Sequence, residues 1–236
     1  MTIALFHDDA YARECDAMVV RVEPGQVVLD RSIFYPTGGG QPGDTGSLVA
    51  GGREIRVVGT VKGEGGEVIH QVEGLAPLAV GQAVSATIDW SRRHRLMRFH
   101  TALHLLCAVV DAPVTGGRMA EDKAHLDFDI DMSLLDAGVI EARLNALVEA
   151  DLPVEAGAIR DEELDANPGL VKTMSVQPPR GQGSVRTIRV GDVDYQPCGG
   201  THLKRTGEIG RLRVARIRSE GRRNKRVTLI FADDPV

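Results

Sequence analysis

A chain of 236 residues, 42% apolar and 26% charged, with a formal net charge of −5, has the composition of a globular protein of one large or two modest domains. That arithmetic excludes wholesale disorder and any large multi-domain machine, and the longest apolar run (105–110), broken by Asp111, excludes a membrane span. Acidic Asp8, Asp9 and Glu14 stand where a secretory leader needs basic and then apolar residues, and three cysteines (Cys15, Cys107, Cys198) make no disulfide framework, so a soluble cytoplasmic protein is expected.

Taken in chain order, the pattern is β first. Short apolar or alternating runs at 26–30, 54–58, 67–70 and 83–88 are separated by Pro24-Gly25, Gly51-Gly52, a glycine-rich stretch at 63–66 and Gly81. Such spacing predicts a small N-terminal barrel or sandwich over residues 1–88. Tyr35-Pro36 leads into a glycine loop at 37–46. From residue 89 onward an α+β domain is expected, its β-sheet packed by two main helices. Asp89 or Ser91 can cap the first helix, whose stripe is Leu96, Phe99, Leu103, Leu106 and Val110, and Ala112-Pro113 stops it. Residues 125–131 alternate as an edge strand would. A second helix is predicted over about 136–151, with Ile140, Leu144, Leu147 and Val148 facing inward. Strand-like runs return at 153–159, 184–190, 209–217 and 226–231, and Ala215 shifts the phase of the third, which reads as a bulge.

The charge is uneven. Residues 203–226 hold ten Lys/Arg against Glu208 and Glu220, a net +8 that leaves −13 for the remainder. Arg92, Arg93, Arg95 and Arg98 form a second basic run, while 121–165 holds 14 Asp/Glu. Isolated clusters usually solvate outer faces. A +8 segment in an acidic chain instead suits a polyanion held at one place.

Chemistry centres on two pairs. His100 and His104 are four apart, which stacks both imidazoles on one helix face within reach of one metal ion. Gln196-Pro197-Cys198-Gly199-Gly200-Thr201-His202 adds a Cys and a His across a Gly-Gly turn. Alone, the first pair also reads as two half-buried histidines and the second as an ordinary tight turn. Together they make a four-ligand set of the kind zinc favours, His100, His104, Cys198 and His202. Asp194 reads as an acceptor for a ligand N–H or as a turn residue. Thr101 stands where a His-Glu-x-x-His protease needs glutamate, so that class is excluded. A Gly-x-Ser-x-Gly elbow is absent. Gly38, Gly40 and Gly43 match Gly-x-Gly-x-x-Gly literally, but no helix is predicted after them and Pro42 lies inside.

His-Thr-Ala-Leu-His at 100–104 and Cys-Gly-Gly-Thr-His at 198–202 resemble the alanyl-tRNA editing protein (AlaX) family and the editing domain of alanyl-tRNA synthetases. The likeness extends through Asp89-Trp90, Arg93 and residues 205–210. Residues 34–46 resemble the glycine-rich motif of the medium-length members, which carry an N-terminal β-barrel. Residues 221–227 resemble a C-terminal motif that often has a second glycine where this chain has Arg223. The editing domain of threonyl-tRNA synthetases shares the two-pair pattern, but Cys-Gly-Gly-Thr-His leans to the alanyl side.

The resemblance implies zinc-dependent hydrolysis of the ester joining a wrong amino acid to the tRNA 3′ end, chiefly serine and then glycine on tRNA for alanine. The chain is too short to include a synthetase core, which implies action in trans. Thr101, Gln41 and Asp194 are the catalytic candidates. Gly39, Gly40, Gln41, Thr115, Gly199 and Gly200 are candidates for holding the substrate. Phosphates of the acceptor arm would lie against Arg92, Arg93, Arg211, Arg213, Arg222, Arg223, Lys225 and Arg226. Zinc activating water, polarising the ester or only positioning substrate stay open at this point. So do three or four protein ligands, a zinc-stabilised RNA-binding module without catalysis, and a deacylase for another misacylated tRNA.

Overall fold

The structure is a computed structural model that describes residues 1–74, 76–174 and 183–234. It divides into two compact units, Met1–Leu96 and Met97–Val236.

Glycine-punctuated strands build the first unit. After β1 (Ile3–Ala4) and the single turn α1 (Leu5–Asp8) come β2 (Glu14–Glu23), β3 (Gln26–Leu29), β4 (Arg31–Ser32), β5 (Gly46–Ala50), β6 (Arg53–Lys62), β7 (Val68–Val72) and β8 (Ala83–Ile88). A closed barrel forms in the order β2-β3-β7-β6-β5-β8, with every neighbouring pair antiparallel. Closure removes free sheet edges. Alternation drives it: in β8, Val84, Ala86 and Ile88 point into a core shared with Val27, Leu29, Phe34, Leu48 and Val57. The sequence did not reveal β2, because Met18-Val19-Val20 is continuously apolar and the register shifts between Val19 and Arg21. Nor did it show that the glycine loop already enters β5 at Gly46. A Cβ on Gly46 would lie 2.1 Å from the Thr87 carbonyl oxygen, and one on Gly43 2.0 Å from that of Thr60, so only glycine lets these backbones approach. Inside the barrel His70 is fully buried; its Nδ1–H donates to the Val27 carbonyl (3.1 Å) and its Nε2 accepts from the Ser32 hydroxyl (2.8 Å).

Helix α2 (Trp90–Val109) opens in the first unit, with Asp89 Oδ1 accepting from the Arg92 amide at 3.1 Å, and continues into the second. Then follow β9 (Val114–Met119), β10 (Ala124–Phe128), α3 (Ala137–Glu149), β11 (Val154–Arg160), α4 (Asp161–Ala166), β12 (Ser184–Val190), β13 (Asp194–Pro197), β14 (Leu212–Ser219) and β15 (Lys225–Phe231). One sheet was expected here; among the described residues there are two, β14-β15-β10-β9 and β11-β12-β13. The stripe Leu96, Phe99, Leu103, Leu106 and Val110 is buried, and so are Met97, Ala102 and Leu105, so α2 is enclosed nearly all round. Phe99 stacks on Phe231 of β15, with ring centroids 4.0 Å apart, which sets α2 against the inner face of the four-stranded sheet.

The predicted edge strand is an interior one. β10 pairs with β9 on one side and β15 on the other, and its alternation reports one solvated sheet face rather than an edge. One of the two real edges, β14, is closed by α3: Asn145 bonds both the amide (2.9 Å) and the carbonyl (3.0 Å) of Leu212, and Glu141 accepts from the Val214 amide (2.9 Å). Ile140, Leu144 and Val148 of α3 are buried as expected, whereas Leu147 is half-buried. β14 starts at Leu212 because Thr206–Ile209 forms a 3-10 turn, and the register shift between Val214 and Arg216 is the bulge read from Ala215.

Candidate metal centre

Four donors converge in the second unit. One ligand atom each from His100, His104, Cys198 and His202 lies within 4.8 Å of the other three. Helix α2 supplies His100 and His104 one turn apart, and the loop after β13 turns back through Gly199-Gly200 to bring Cys198 and His202 opposite them. Cys198 Sγ lies 3.4 Å from His100 Nε2 and 3.3 Å from His202 Nε2. Donors about 2.0 Å (N) and 2.3 Å (S) from a tetrahedral zinc stand roughly 3.3–3.6 Å from one another, so the two Cys198 distances fit such an ion. The donor set is also chemically suited, one thiolate with three imidazoles.

The ring nitrogens turned away from the cluster are held. His104 Nδ1–H donates to Asp194 Oδ2 at 2.7 Å, and Asp194 is itself held by Lys172 Nζ (2.7 Å) and Gln196 Nε2 (2.9 Å). A carboxylate accepts only, so His104 donates from Nδ1 and turns Nε2 toward the cluster. His202 Nδ1 lies 3.3 Å from the Thr101 hydroxyl, which also accepts from the Leu203 amide at 3.2 Å. Arg186 on β12 fixes the loop from outside by donating to the carbonyls of Cys198 (2.7 Å) and Gly200 (3.0 Å).

Electrostatics follow from this packing. Burial opposes ionisation of Cys198, but the imidazoles of His100 and His202 outweigh it and hold the thiol well below its ordinary range. Burial likewise pushes His104 down, yet the Asp194 hydrogen bond and the Cys198 thiolate prevail and hold it up at about 9. Burial, reinforced by His100, pushes His202 down to about 3.

Other expected site residues fall elsewhere. Thr101 is fully buried, and its hydroxyl positions His202. Asp194 is buried behind His104, a positioning group rather than one open to substrate. The Gly200 amide is directed at Cys198 Sγ (3.5 Å), while Gly199 is exposed. Thr115 lies on β9 and donates to the Asp127 carbonyl at 3.2 Å. In the first unit Gly39 and Gly40 are exposed at a turn closed by Gly38 and Gln41, and Gln41 itself is fully buried. Sequence reasoning missed Lys172, Gln196 and Arg186; Gln196 alone carried a signal, as the same-face neighbour of Asp194 on one strand.

The basic residues divide sharply. Arg93 does not face solvent: it is 0% exposed, ion-paired with Asp44, and donates to the carbonyls of Ala10 (2.9 Å) and Ile33 (2.6 Å). Lys225 is buried too, its ammonium donating to the Gly221 and Arg222 carbonyls of its own hairpin. Neither is available to a phosphate. Arg92 donates to the Gly43 carbonyl, Arg223 pairs with Asp129, and Arg226 grips Asp127 through two nitrogens. Arg211, Arg213 and Arg222 are exposed.

A closed barrel followed by an α+β unit with a cluster of three buried histidines and one half-buried cysteine defines a two-part, metal-competent protein. Residues 2–92 match the family described as tRNA synthetases class II (A), and residues 185–228 match the threonyl and alanyl tRNA synthetase second additional domain. The chain is 36% identical to an alanyl-tRNA editing protein AlaX-M of Saccharolobus solfataricus, covering 96% of this chain and 98% of that one. It is 34% identical to an AlaX-M of Methanosarcina acetivorans (99% and 100% covered) and 38% identical to an alanine–tRNA ligase of Pyrobaculum neutrophilum, of which it spans 25%. The chain belongs to the AlaX-M family of alanyl-tRNA editing proteins.

Proposed function

We propose that this protein is a trans-acting deacylase that hydrolyses misacylated tRNA for alanine, with the seryl ester as first substrate and the glycyl ester as second. The observation that carries this reading is the His100–His104–Cys198–His202 cluster in a chain related over nearly its whole length to alanyl-tRNA editing proteins. Zinc fits the donor set; when bound, it supplies a Lewis acid at the ester or its attacking water. The chain's own groups do the positioning. Asp194 keeps the His104 proton on Nδ1, Thr101 orients His202, and Arg186 and the Gly200 amide hold the Cys198 loop with its thiolate inward. Exposed arginines hold the phosphates of the acceptor arm, so tRNA binding weakens steeply with salt.

Deacylation of seryl-, glycyl- and alanyl-tRNA for alanine, with and without a chelator, tests the reading. Hydrolysis of the first two that is lost on chelation and in His100→Ala or Cys198→Ala is the expected result. An unaltered rate in either variant with the fold intact overturns the metal-centred mechanism. Chelation that melts a protein inert toward every ester identifies a zinc-stabilised RNA-binding module instead.

A further inference from the structure

The four-stranded sheet has two unlike faces, and the register assigns every residue to one of them. Leu212 and Val214 of β14 pair with Phe231 and Leu229, and on β10 Ala124 and Leu126 pair with Leu229 and Val227; these face inward toward α2. The opposite face carries Arg213 beside Ile230, Arg216 beside Thr228 and Arg218 beside Arg226, then His125 beside Thr228 and Arg118 beside His125. The bulge at Ala215 creates this arrangement. Strict alternation would put Arg213 and Arg216 on opposite faces; the extra residue returns Arg216 and Arg218 to the face of Arg213 while Ile217 goes inward opposite Val227. Five arginines thus share one face with a single carboxylate, Asp127, which Arg226 already binds. Glu220, at the hairpin end, pairs with Arg218 and Arg226. Among the described residues no ion pair engages Arg118, Arg213 or Arg216, and all three are exposed.

We propose that this outer sheet face is the docking surface for the phosphate backbone of tRNA, with Arg118, Arg213 and Arg216 as its principal contacts and His125 at its centre. The occupant is fixed by charge complementarity: a ladder of five guanidiniums, of which Asp127 and Glu220 engage only Arg218 and Arg226, on a protein of net charge −5, suits a polyanion with repeated bidentate acceptors. Arg118 lies outside both basic runs of the sequence, and only the β9–β10 pairing brings it to the ladder. The face lies across the sheet from α2, which bears His100 and His104, so its role is to hold RNA remote from the scissile ester.

The inference rests on the deacylase reading, and its test separates the two. Binding of uncharged tRNA to the full-length metal-loaded protein is measured against salt for wild type, Arg213→Glu/Arg216→Glu, Arg118→Glu and the milder Arg213→Gln/Arg216→Gln. A barrel pair of equal charge change, Arg53→Glu/Arg56→Glu, is the control. Arg213→Glu/Arg216→Glu is expected to bind about tenfold or more weakly and to lose about two from the slope of log K against log salt. For seryl-tRNA it raises KM with kcat and zinc content unchanged. Face variants that bind as wild type, or no worse than the barrel control, overturn the surface. A wild-type protein that binds tRNA through this face but hydrolyses no ester overturns the deacylase reading and leaves the surface standing.

Discussion

At His104 the order of connection matters more than the list of ligands. Lys172, Asp194 and His104 form one chain of charge-assisted hydrogen bonds, each 2.7 Å long, that ends at the imidazole whose Nε2 faces the cluster. Asp194→Asn removes the charge and turns one of the two acceptor oxygens shared by His104, Lys172 and Gln196 into an N–H donor, so zinc affinity should fall about 10- to 100-fold, read by competition with a chromophoric chelator. An affinity unchanged within twofold would show that Asp194 only fills space. All four cluster residues were legible in the sequence, since their types and spacings are those that zinc chemistry demands. Lys172 was not, because its relation to Asp194 spans 22 residues and leaves no local trace.

Among the elements, the glycine loop shows where sequence reasoning changes meaning. Its glycines mark backbones in contact at Gly43 and Gly46 as much as amides open to a ligand, and the loop is stapled by Asp44 and Arg93. Both members of that ion pair are buried, so Arg93→Ala strands a carboxylate and should cost about 3–5 kcal/mol of stability in urea unfolding. Replacing both, as Asp44→Leu/Arg93→Met, should recover much of the loss, and failure to recover any would locate the cost in Arg93's bonds to Ala10 and Ile33. The barrel adds a pH signature. Burial, only partly offset by the Val27 bond, pushes His70 down to about 4 from an ordinary 6.5. The unfolded chain then binds the extra proton first, so stability is complete above pH 6.5 and falls as pH drops toward 4, by about 3 kcal/mol in all. His70→Gln should flatten that part of the stability–pH curve. Helices α2 and α3 and most strands were readable from period and punctuation. β2, β9 and β13 escaped because a bulge, a Gly-Gly pair and a short length each erase the two-residue period.

Across the whole molecule, charge is the property that folding reorganises most. The basic run in the sequence is contiguous, yet the structure spends part of it internally: Lys225 caps a hairpin, and Arg205 and Arg223 pair with Asp151 and Asp129. What stays outward is a smaller, better ordered set, joined by Arg118 from a strand 95 residues away from Arg213. No helix among the described residues is long and apolar enough to cross a membrane.

The ladder left by the Ala215 bulge also shapes the timing of encounter. On an acidic body, a patch of one sign attracts a polyanion over a Debye length while the remaining surface turns it away, so most collisions are oriented before contact. Salt should then act chiefly on arrival. Stopped-flow traces of tRNA binding should show the association rate falling steeply between low and physiological ionic strength while the dissociation rate changes little, and a salt effect carried mainly by dissociation would assign the arginines to grip rather than to guidance.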